Sequence, residues 1–320
     1  MSTASKAELE TAAELIYSVM PPTPQYCWPL LAERCGAEVW VKHENHTPIG
    51  AFKVRGGLVY LEAFKREHPD AAGLVAATRG NHGQSVAFAA KRAGVRAVIY
   101  VPHGNSVEKN AAMRAFGAEL IEHGADFNEA LDYAIEQAEA QGLVPMPSFD
   151  RTLVQGVGTY GMELLQAVPD LDTVYVPIGM GSGVCGMISA REALGLKTEV
   201  VGVVAENAPT YALSFEAGEP VSTNSSETMA DGLAVRIPDA AALATILEGV
   251  ARIVAVSEDE IKAAIRHYYT DTHNLVEGAG AATLAALLKE RDAMAGKKVG
   301  VIVSGGNIDT AVYRDILAGG

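Results

Sequence analysis

Short runs of β-branched and other apolar residues alternate with longer alanine-rich stretches along the whole chain. The short runs predict strands at 38–43, 73–78, 96–101, 118–122, 172–176, 198–205, 252–256 and 297–303. The longer stretches predict helices at 53–66, 81–93, 106–116, 126–141, 153–167, 183–194, 257–271, 279–291 and 307–317. Strands and helices that alternate in this way are typical of a doubly wound α/β protein. We therefore expect open, mostly parallel twisted sheets with helices on both faces.

The block 73–149 contains enough strand and helix pairs to pack as a compact sheet of its own. After it, the step Pro145-Met146-Pro147 returns the chain to another helical stretch. A chain of 320 residues with 49% hydrophobic content is also long enough for about two domains. We predict a large domain formed by 1–72 and 150–320, with a small α/β domain inserted at 73–149.

Composition and charge narrow the range of partners. The chain has 39 acidic and 25 basic residues and a net charge of −14, which disfavours nucleic acids and anionic membranes. It has neither an apolar signal-peptide core near its start nor an apolar stretch long enough to span a membrane. Its three cysteines show no CxxC spacing, so neither a disulfide framework nor a zinc ribbon is indicated. We expect a cytoplasmic protein that acts on a small molecule.

One lysine lies between a glycine turn and a helical run, in Pro48-Ile49-Gly50-Ala51-Phe52-Lys53-Val54-Arg55-Gly56-Gly57. The preceding strand at 38–43 places this amine where a strand end meets a helix start. Such an amine can form a Schiff base with a carbonyl compound. Most lysines, however, are solvated surface groups, so the interpretation depends on partners elsewhere in the chain.

Three further motifs follow predicted strands: Thr78-Arg79-Gly80-Asn81-His82-Gly83-Gln84, Gly179-Met180-Gly181-Ser182-Gly183 and Ser304-Gly305-Gly306-Asn307. A glycine-rich turn that opens a helix can direct backbone N–H groups and the helix dipole at an anion such as phosphate. Turns of this kind also serve close packing alone. On the ordinary interpretation, Asn81 and Ser304 are helix N-caps.

Together with the lysine segment, these motifs resemble those of fold-type II enzymes of pyridoxal phosphate (PLP), which share the tryptophan synthase β-like fold. The resemblance is to the threonine and serine dehydratase and serine racemase group, and it extends from about residue 20 to the C-terminus. It implies that Lys53 forms a Schiff base with PLP and, once displaced by substrate, acts as the base at the substrate Cα.

The same resemblance implies roles for the other motifs. Phe52 would flank the cofactor, Asn81 would bond its phenolic oxygen and Ser304 its pyridine nitrogen. The cofactor phosphate would be held by Gly179, Met180, Gly181, Ser182 and Gly183. The substrate would be bound, through its carboxylate, by Thr78, Gly80 and His82.

This chain departs from the family at several positions. Ala51 stands where serine is common, and Met180 and Ser182 interrupt what is usually an unbroken run of glycines. The largest departure is Arg79, where relatives commonly have serine or alanine. In serine racemase that serine is the second acid/base, so its replacement argues against racemisation. Arg79 either approaches the substrate or points to solvent.

Two further residues bear on the chemistry. The neutral hydroxyl of Ser304 would not keep the pyridine nitrogen protonated, which weakens the electron sink and favours β-elimination over transamination. Glu277, in Glu277-Gly278-Ala279-Gly280, stands where the family often has Glu-Pro. It is either a group near the cofactor or a plain surface carboxylate.

Metal-dependent relatives use a glutamate and an aspartate six residues later. Here Glu206 is followed at that spacing by Ala212, so one ligand is missing. No histidine pair has the spacing of a zinc site with a credible third ligand. We predict no metal requirement.

The sequence therefore predicts a PLP-dependent dehydratase, or ammonia-lyase, of the homodimeric, two-domain fold-type II class. It would convert an L-3-hydroxy-α-amino acid of the threonine or serine type into a 2-oxo acid and ammonia. Phenylserine and 3-hydroxyaspartate remain open as substrates. The alternatives are an amino-acid racemase or a β-replacement enzyme of the same fold, and a small-molecule-binding regulator that has lost the chemistry.

Overall fold

The structure, a computed structural model, describes residues 3–319. Its helices are α1 (Lys6–Tyr17), α2 (Pro29–Cys35), α3 (Lys53–Glu67), α4 (Asn81–Ala93), α5 (Val107–Ala115), α6 (Phe127–Gln141), α7 (Arg151–Ala167), α8 (Ser182–Ala193), α9 (Thr210–Ala217), α10 (Ala240–Gly249), α11 (Glu258–Thr272), α12 (Gly278–Lys289), α13 (Arg291–Met294) and α14 (Thr310–Leu317). Its strands are β1 (Gln25–Cys27), β2 (Glu38–His43), β3 (Leu74–Ala77), β4 (Ala97–Val101), β5 (Glu119–Glu122), β6 (Val144–Pro145), β7 (Thr173–Pro177), β8 (Glu199–Ala205), β9 (Arg252–Val256) and β10 (Lys298–Val303).

The strands form two sheets. The larger has the order β1-β2-β10-β7-β8-β9, and only its edge strand β1 is antiparallel to its neighbour. The smaller has the order β5-β4-β3-β6 and is parallel throughout. All four strands of the smaller sheet lie between residues 74 and 145. Mostly parallel sheets linked by helices agree with the α/β class expected from the sequence.

The larger sheet is buried on both faces, as parallel sheets usually are. In β10, Val299, Val301 and Val303 pack into a core that includes side chains of α11 and α12. Ile302, on the opposite face, packs into a second core with side chains of α7 and α8. This alternation follows from the two-residue period of a strand.

The parallel strands direct their carboxyl ends to one edge of each sheet. Three neighbouring strands of the larger sheet, β2, β10 and β7, end at His43, Val303 and Pro177. The lysine segment, the serine-glycine segment and the glycine loop follow these three ends. Because ligands of open α/β sheets bind at this edge, the fold predicts a site here.

A buried ionic cluster lies next to the start of α3. Arg55 is fully buried and donates through Nε to Glu44 at 2.7 Å and through Nη1 to Glu163 at 2.6 Å. The buried ammonium of Lys42 contacts the other oxygen of Glu163 at 2.5 Å. Burial favours the neutral form of Glu163, but the charges and hydrogen bonds of Arg55 and Lys42 outweigh it and lower its pKa. The cluster joins α3, α7 and the end of β2.

Candidate active site

The turn before Lys53 is held in place by side-chain and backbone bonds. The Thr47 hydroxyl accepts from the Ala51 N–H at 2.9 Å and donates to the Ala51 carbonyl at 2.8 Å. Gly50 has a φ of 69°, in the left-handed region that favours glycine. The Phe52 N–H donates to the Ser304 carbonyl at 2.9 Å. The lysine turn is therefore tied directly to the segment that follows β10.

Lys53 is the first residue of α3 and is partly buried. The Ser85 hydroxyl donates to its backbone carbonyl at 2.6 Å, and its Nζ lies 5.0 Å from the centre of the Phe52 ring. Among residues 3–319, this Nζ has no hydrogen-bond or ion-pair partner. Burial lowers the pKa of Lys53 to about 8, although the charge of Glu277 opposes the shift. A lysine with this pKa is often neutral near pH 8 and can act as a nucleophile or a base.

A small cavity next to this amine is lined by Lys53, Gly56, His82, Ser148, Leu153, Val157 and Ser182. Burial and the charge of Lys53 lower the pKa of His82 to about 3, so its imidazole is neutral. The buried Nε2 of His82 has no partner in the described part of the chain. A larger cavity of about 440 Å³ is lined by Gly50 and Asn307 but not by Lys53.

The glycine loop connects β7 to α8 and has the geometry of an anion cradle. Gly181, at the N-cap of α8, has a φ of 103° and supplies no side-chain cap to the helix. The first helical residues, Ser182 and Gly183, are buried. Backbone N–H groups at such an uncapped helix start are available to an anion, and the helix dipole favours one.

Neighbouring groups hold this loop from three sides. The Tyr160 hydroxyl donates to the Gly183 carbonyl at 2.8 Å, and the Tyr211 hydroxyl donates to the Met180 carbonyl at 3.0 Å. A Cβ atom at Gly179 would lie 2.1 Å from the Gly232 carbonyl oxygen, so the close approach of these two segments requires glycine. The Met180 carbonyl takes part in holding the loop, and the Met180 side chain is partly buried against the core that includes side chains of α7 and α8.

The loop between β3 and α4 is capped by Thr78, whose hydroxyl accepts from the N–H groups of Gly80 at 3.2 Å and Gly83 at 3.3 Å. The interpretation of Asn81 as the N-cap is wrong, because Gly80 occupies that position and Asn81 is the first helical residue. The Asn81 side chain is thereby free to bond elsewhere. The Arg79 side chain is exposed and has no hydrogen-bond or ion-pair partner among residues 3–319.

Glu277 is buried, so the alternative of a surface carboxylate is wrong. Its Oε1 accepts from Nδ2 of Asn81 at 2.7 Å, and its backbone N–H donates to the Gly305 carbonyl at 3.1 Å. Burial raises the pKa of Glu277 to about 7, opposed by the charge of Lys109 and the bond from Asn81. Glu277 thus connects the start of α4 to the segment after β10.

Ser304 is buried at the end of β10. It is not a helix N-cap, because the next helix starts at Thr310 and Asp309 occupies the cap position. Its hydroxyl has no hydrogen-bond partner in the described chain. The Phe52 ring, which precedes Lys53, packs edge-to-face on Tyr160 with ring centres 6.1 Å apart. Phe52 therefore lies between the lysine and a residue that holds the glycine loop.

These residues fit PLP. The cofactor's aldehyde requires an unpaired amine, and its phosphate requires an uncapped helix start with a glycine cradle. Two polar side chains, His82 and Ser304, are also unpaired and available to the cofactor or its substrate. Lys53, His82 and Ser182 share one cavity, and Asn81 is bonded to Glu277. Arg79 is not brought to this cavity.

Sequence reasoning gave no role to several residues that contact the site. Ser148 lines the cavity with Lys53, and Gly232 supports the glycine loop. Lys109, on α5, forms an ion pair with Asp231 at 2.6 Å beside the α4 start. None of them belongs to a motif with a local chemical signature, so only the fold identifies them.

Glu206, the residue considered as a metal ligand, pairs with Nζ of Lys289 at 3.1 Å. Within residues 3–319, no group of three or more His, Cys, Asp or Glu side chains has the arrangement of a metal site. In the same part of the chain, no helix combines the length and apolarity needed to cross a bilayer.

Comparisons with known proteins agree with this geometry. An L-threonine ammonia-lyase of Geobacter sulfurreducens is 37% identical over 295 residues, which cover 90% of this chain and 73% of that protein. A catabolic L-threonine dehydratase of Escherichia coli is 34% identical over 308 residues, which cover 94% of this chain and 91% of that protein. The structure of maize serine racemase matches with a TM-score of 0.92 and 27% identity, over 99% of this chain and 98% of that one.

The family model described as pyridoxal-phosphate dependent enzyme matches residues 17–305. This match covers the lysine segment, the Thr78–His82 loop, the glycine loop and Ser304. On these grounds, the chain belongs to the family of pyridoxal-phosphate-dependent enzymes.

Proposed function

We propose that the protein is a dehydratase that converts an L-3-hydroxy-α-amino acid into a 2-oxo acid and ammonia. The observation that carries this proposal is the unpaired amine of Lys53 in one cavity with Ser182 and the neutral His82. Relatives named L-threonine ammonia-lyase and L-threonine dehydratase, at 34–37% identity, support the reaction class. Threonine and serine are the substrates we put first.

Different residues of the site would bind the cofactor and the substrate. The N–H groups at the start of α8, with the Ser182 hydroxyl, would hold the cofactor phosphate. Ser304 would bond the pyridine nitrogen, and Asn81 the phenolic oxygen. The N–H groups at the start of α4, with Thr78 and His82, would hold the substrate carboxylate. When bound, PLP supplies an electron sink for the electron pair left at the substrate Cα.

Lys53 would then move the proton. Its depressed pKa leaves a neutral amine able to take the Cα proton near neutral to mildly basic pH. The Ser304 hydroxyl, being neutral, would not keep the pyridine nitrogen protonated. The electron pair would therefore be used in expelling the β-hydroxyl rather than in reprotonation elsewhere. The hydroxyl must take up a proton to leave as water, and this proton balances the one that Lys53 takes from Cα. Hydrolysis of the remaining enamine releases ammonia and the 2-oxo acid.

A racemase or a β-replacement enzyme is the second candidate, since maize serine racemase has a closely similar fold. Racemisation needs a second acid/base opposite Lys53. Arg79, at the position where serine racemase has that serine, is exposed and is a poor acid/base because its guanidinium stays protonated. This observation favours elimination.

The proposal is tested by adding L-threonine, L-serine, phenylserine and 3-hydroxyaspartate to the purified holoenzyme. We expect equal amounts of 2-oxo acid and ammonia from at least one of them. Formation of the opposite enantiomer without ammonia would instead indicate a racemase. A change of visible absorbance without any product would indicate a binding protein.

Arg79→Ser is expected to leave the ranking of these four substrates unchanged, because the side chain faces solvent. Each kcat/KM should change by no more than about twofold, as is typical of exposed positions. Loss of a charge-assisted bond to substrate would instead cost about 1.5–3 kcal/mol, or roughly ten- to a hundredfold, for one substrate only. That selective loss would place Arg79 in the substrate site.

Covalent attachment of PLP to cofactor-free protein should depend on pH in a characteristic way. Only the neutral amine of Lys53 attacks the aldehyde, and its pKa is lowered to about 8. The attachment rate should therefore rise between pH 7 and pH 9 and level off above, whereas an ordinary lysine would still be gaining near pH 10. Stopped-flow absorbance measures the rate. A profile that rises without a plateau to pH 10 would contradict the depressed pKa.

Three narrower statements remain predictions. The cytoplasmic location rests on the sequence and on three cysteines that are free in the structure, Cys27, Cys35 and Cys185. The homodimeric assembly rests on the family resemblance. The absence of a metal requirement rests on Ala212, which cannot replace an aspartate ligand beside Glu206.

A further inference from the structure

The side chain of Asn307 lies between the lysine turn and Asn81. Its Nδ2 donates to the Ile49 carbonyl at 2.8 Å and to Oδ1 of Asn81 at 2.7 Å. Nδ2 of Asn81 in turn donates to Oε1 of Glu277 at 2.7 Å. These four residues, Ile49, Asn307, Asn81 and Glu277, form one continuous hydrogen-bond chain. Its members come from four segments that are far apart in sequence.

The direction of this chain is fixed at its first member. A backbone carbonyl only accepts, so Asn307 must turn its NH₂ group towards Ile49. The same NH₂ group faces Asn81, which must therefore present its oxygen there. Asn81 is then left with its NH₂ group towards Oε1 of Glu277, which accepts from it. Reversing the Asn81 amide would break the bonds at both of its ends.

We infer that Asn307 and Glu277 are positioning residues that hold the Asn81 amide in one orientation, with its NH₂ group available to the cofactor. The inference rests on the proposed function only in assigning Asn81 to the phenolic oxygen of PLP. A phenolate oxygen accepts hydrogen bonds and cannot donate them, so it needs an N–H from Asn81. A reversed amide would present a lone pair instead and would repel it.

The contacts around Asn81 leave little room for another arrangement. Glu277 is buried, and a Cβ atom at Gly305 would lie 2.5 Å from its Oε1, which fixes the carboxylate against the segment after β10. A Cβ atom at Gly50 would lie 2.9 Å from Oδ1 of Asn307. Glu277, at one end of the chain, and Asn307, next to its other end, are therefore both packed against glycine backbone, which limits their movement.

The inference is tested with Asn307→Asp, Glu277→Gln and the double variant. The carboxylate introduced by Asn307→Asp cannot donate, so the Asn81 amide should reverse. At a pH well above 7, where Glu277 is ionised, the reversed amide would set its oxygen against the Glu277 carboxylate, and the variants are compared at such a pH. Glu277→Gln supplies an N–H that can donate to the reversed amide. In the double variant, the bonds that join residue 307, Asn81 and residue 277 should therefore be made again in the opposite direction, while the Ile49 carbonyl stays without its donor.

Two measurements separate positioning from simple structural support. The first is urea unfolding of the cofactor-free protein. Asn307→Asp should lower the unfolding midpoint, and adding Glu277→Gln should restore a clear part of the loss. The second is the PLP dissociation constant together with the visible absorbance maximum of the holoenzyme. Asn307→Asp should raise the dissociation constant by roughly ten- to a hundredfold, and the double variant should not recover.

A purely structural role predicts that stability and cofactor affinity recover together in the double variant, and that result would overturn the inference. So would an unchanged dissociation constant in Asn307→Asp, or no recovery of stability in the double variant. Asn274→Asp is the control, because Asn274 lines the same large cavity as Asn307 without bonding Asn81. It should leave PLP affinity unchanged.

If Asn307→Asp does not fold, Asn307→Ser serves in its place. Serine both donates and accepts, so it removes the direction of the chain without adding a charge, and PLP affinity should fall severalfold. Wild-type affinity in Asn307→Ser would also overturn the inference. Because PLP binding is measured rather than turnover, a failed dehydratase assay leaves this test intact. Wild-type protein that binds no PLP would instead refute the cofactor assignment itself.

Discussion

Lys53→Ala is expected to abolish turnover and to remove the covalent link to PLP that borohydride can fix. Lys53 alone combines the helix-start position, a lowered pKa and an unpaired Nζ in the cavity with Ser182 and His82. Loss of the general base by itself should reduce kcat by about 10²–10⁴-fold, and loss of covalent attachment adds to this. Mass spectrometry after borohydride reduction shows the link, and 2-oxo acid release shows the turnover.

Lys65→Ala is the matched control, since Lys65 lies on the same helix and is exposed. It should keep both the link and the activity. Lys42→Ala should also keep the link, because Lys42 is engaged with Glu163, although the fold should be less stable. Full activity in Lys53→Ala would contradict the assignment of Lys53 as the residue that binds PLP covalently and acts as the base.

Arg55→Ala is expected to destabilise the fold by about 3–5 kcal/mol, because it leaves buried carboxylates without their main counter-charge. Arg55 is the fully buried cation that bonds both Glu44 and Glu163. Lys42 remains beside Glu163 but does not reach Glu44 in the described contacts. Urea unfolding of the protein measures the change in the free energy of unfolding.

Arg96→Ala provides the comparison, since Arg96 forms a two-point ion pair with Glu119 on the surface, at 2.8 Å for both bonds. Its side chain is 40% exposed, so solvent compensates for the loss and the cost should be below about 1 kcal/mol. An equal loss in the free energy of unfolding for the two variants would show that burial does not determine how much the Arg55 contacts stabilise the fold.

Most of the regular structure could be predicted because it depends on local patterns. The strands at 38–43 and 252–256 and the helix at 81–93 have the predicted bounds. Helix α1 was missed although Ser5 and Glu8 form a capping box that is visible as a motif in the sequence. Helix α10 was missed because it is apolar on nearly every side, so its sequence does not show the 3.6-residue alternation of apolar and polar positions.

The short strands β1 and β6 escaped prediction because they have three and two residues, too few to show alternation. The helix expected at 307–317 starts only at Thr310. The reason is tertiary: the Asn307 side chain is used to bond Ile49 and Asn81. A local pattern cannot show that a residue is required elsewhere.

The residues of the candidate site also differ in whether the sequence could predict them. Lys53, Ser182 and Ser304 were found because each sits in a motif at a strand end, where the topology of a parallel sheet brings them together. The bonds that orient them were not predictable, because they join residues 44, 55 and 163 in the ionic cluster, or 49, 81, 277 and 307 in the hydrogen-bond chain. Pairings over such distances depend on packing, which a single sequence does not reveal.

The place of β10 in the larger sheet has a consequence for how the chain is made. β10 lies between β2 and β7, and the turn that carries Lys53 rests on Ser304 and Gly305. A ribosome delivers these residues after every other strand. The emerging polypeptide therefore lacks the middle of its main sheet, and the amine lacks its support, until Val303 and the residues after it have left the exit tunnel. The smaller sheet, whose strands are consecutive, can form during synthesis. The support of the lysine turn therefore becomes available only after the smaller sheet has been synthesised.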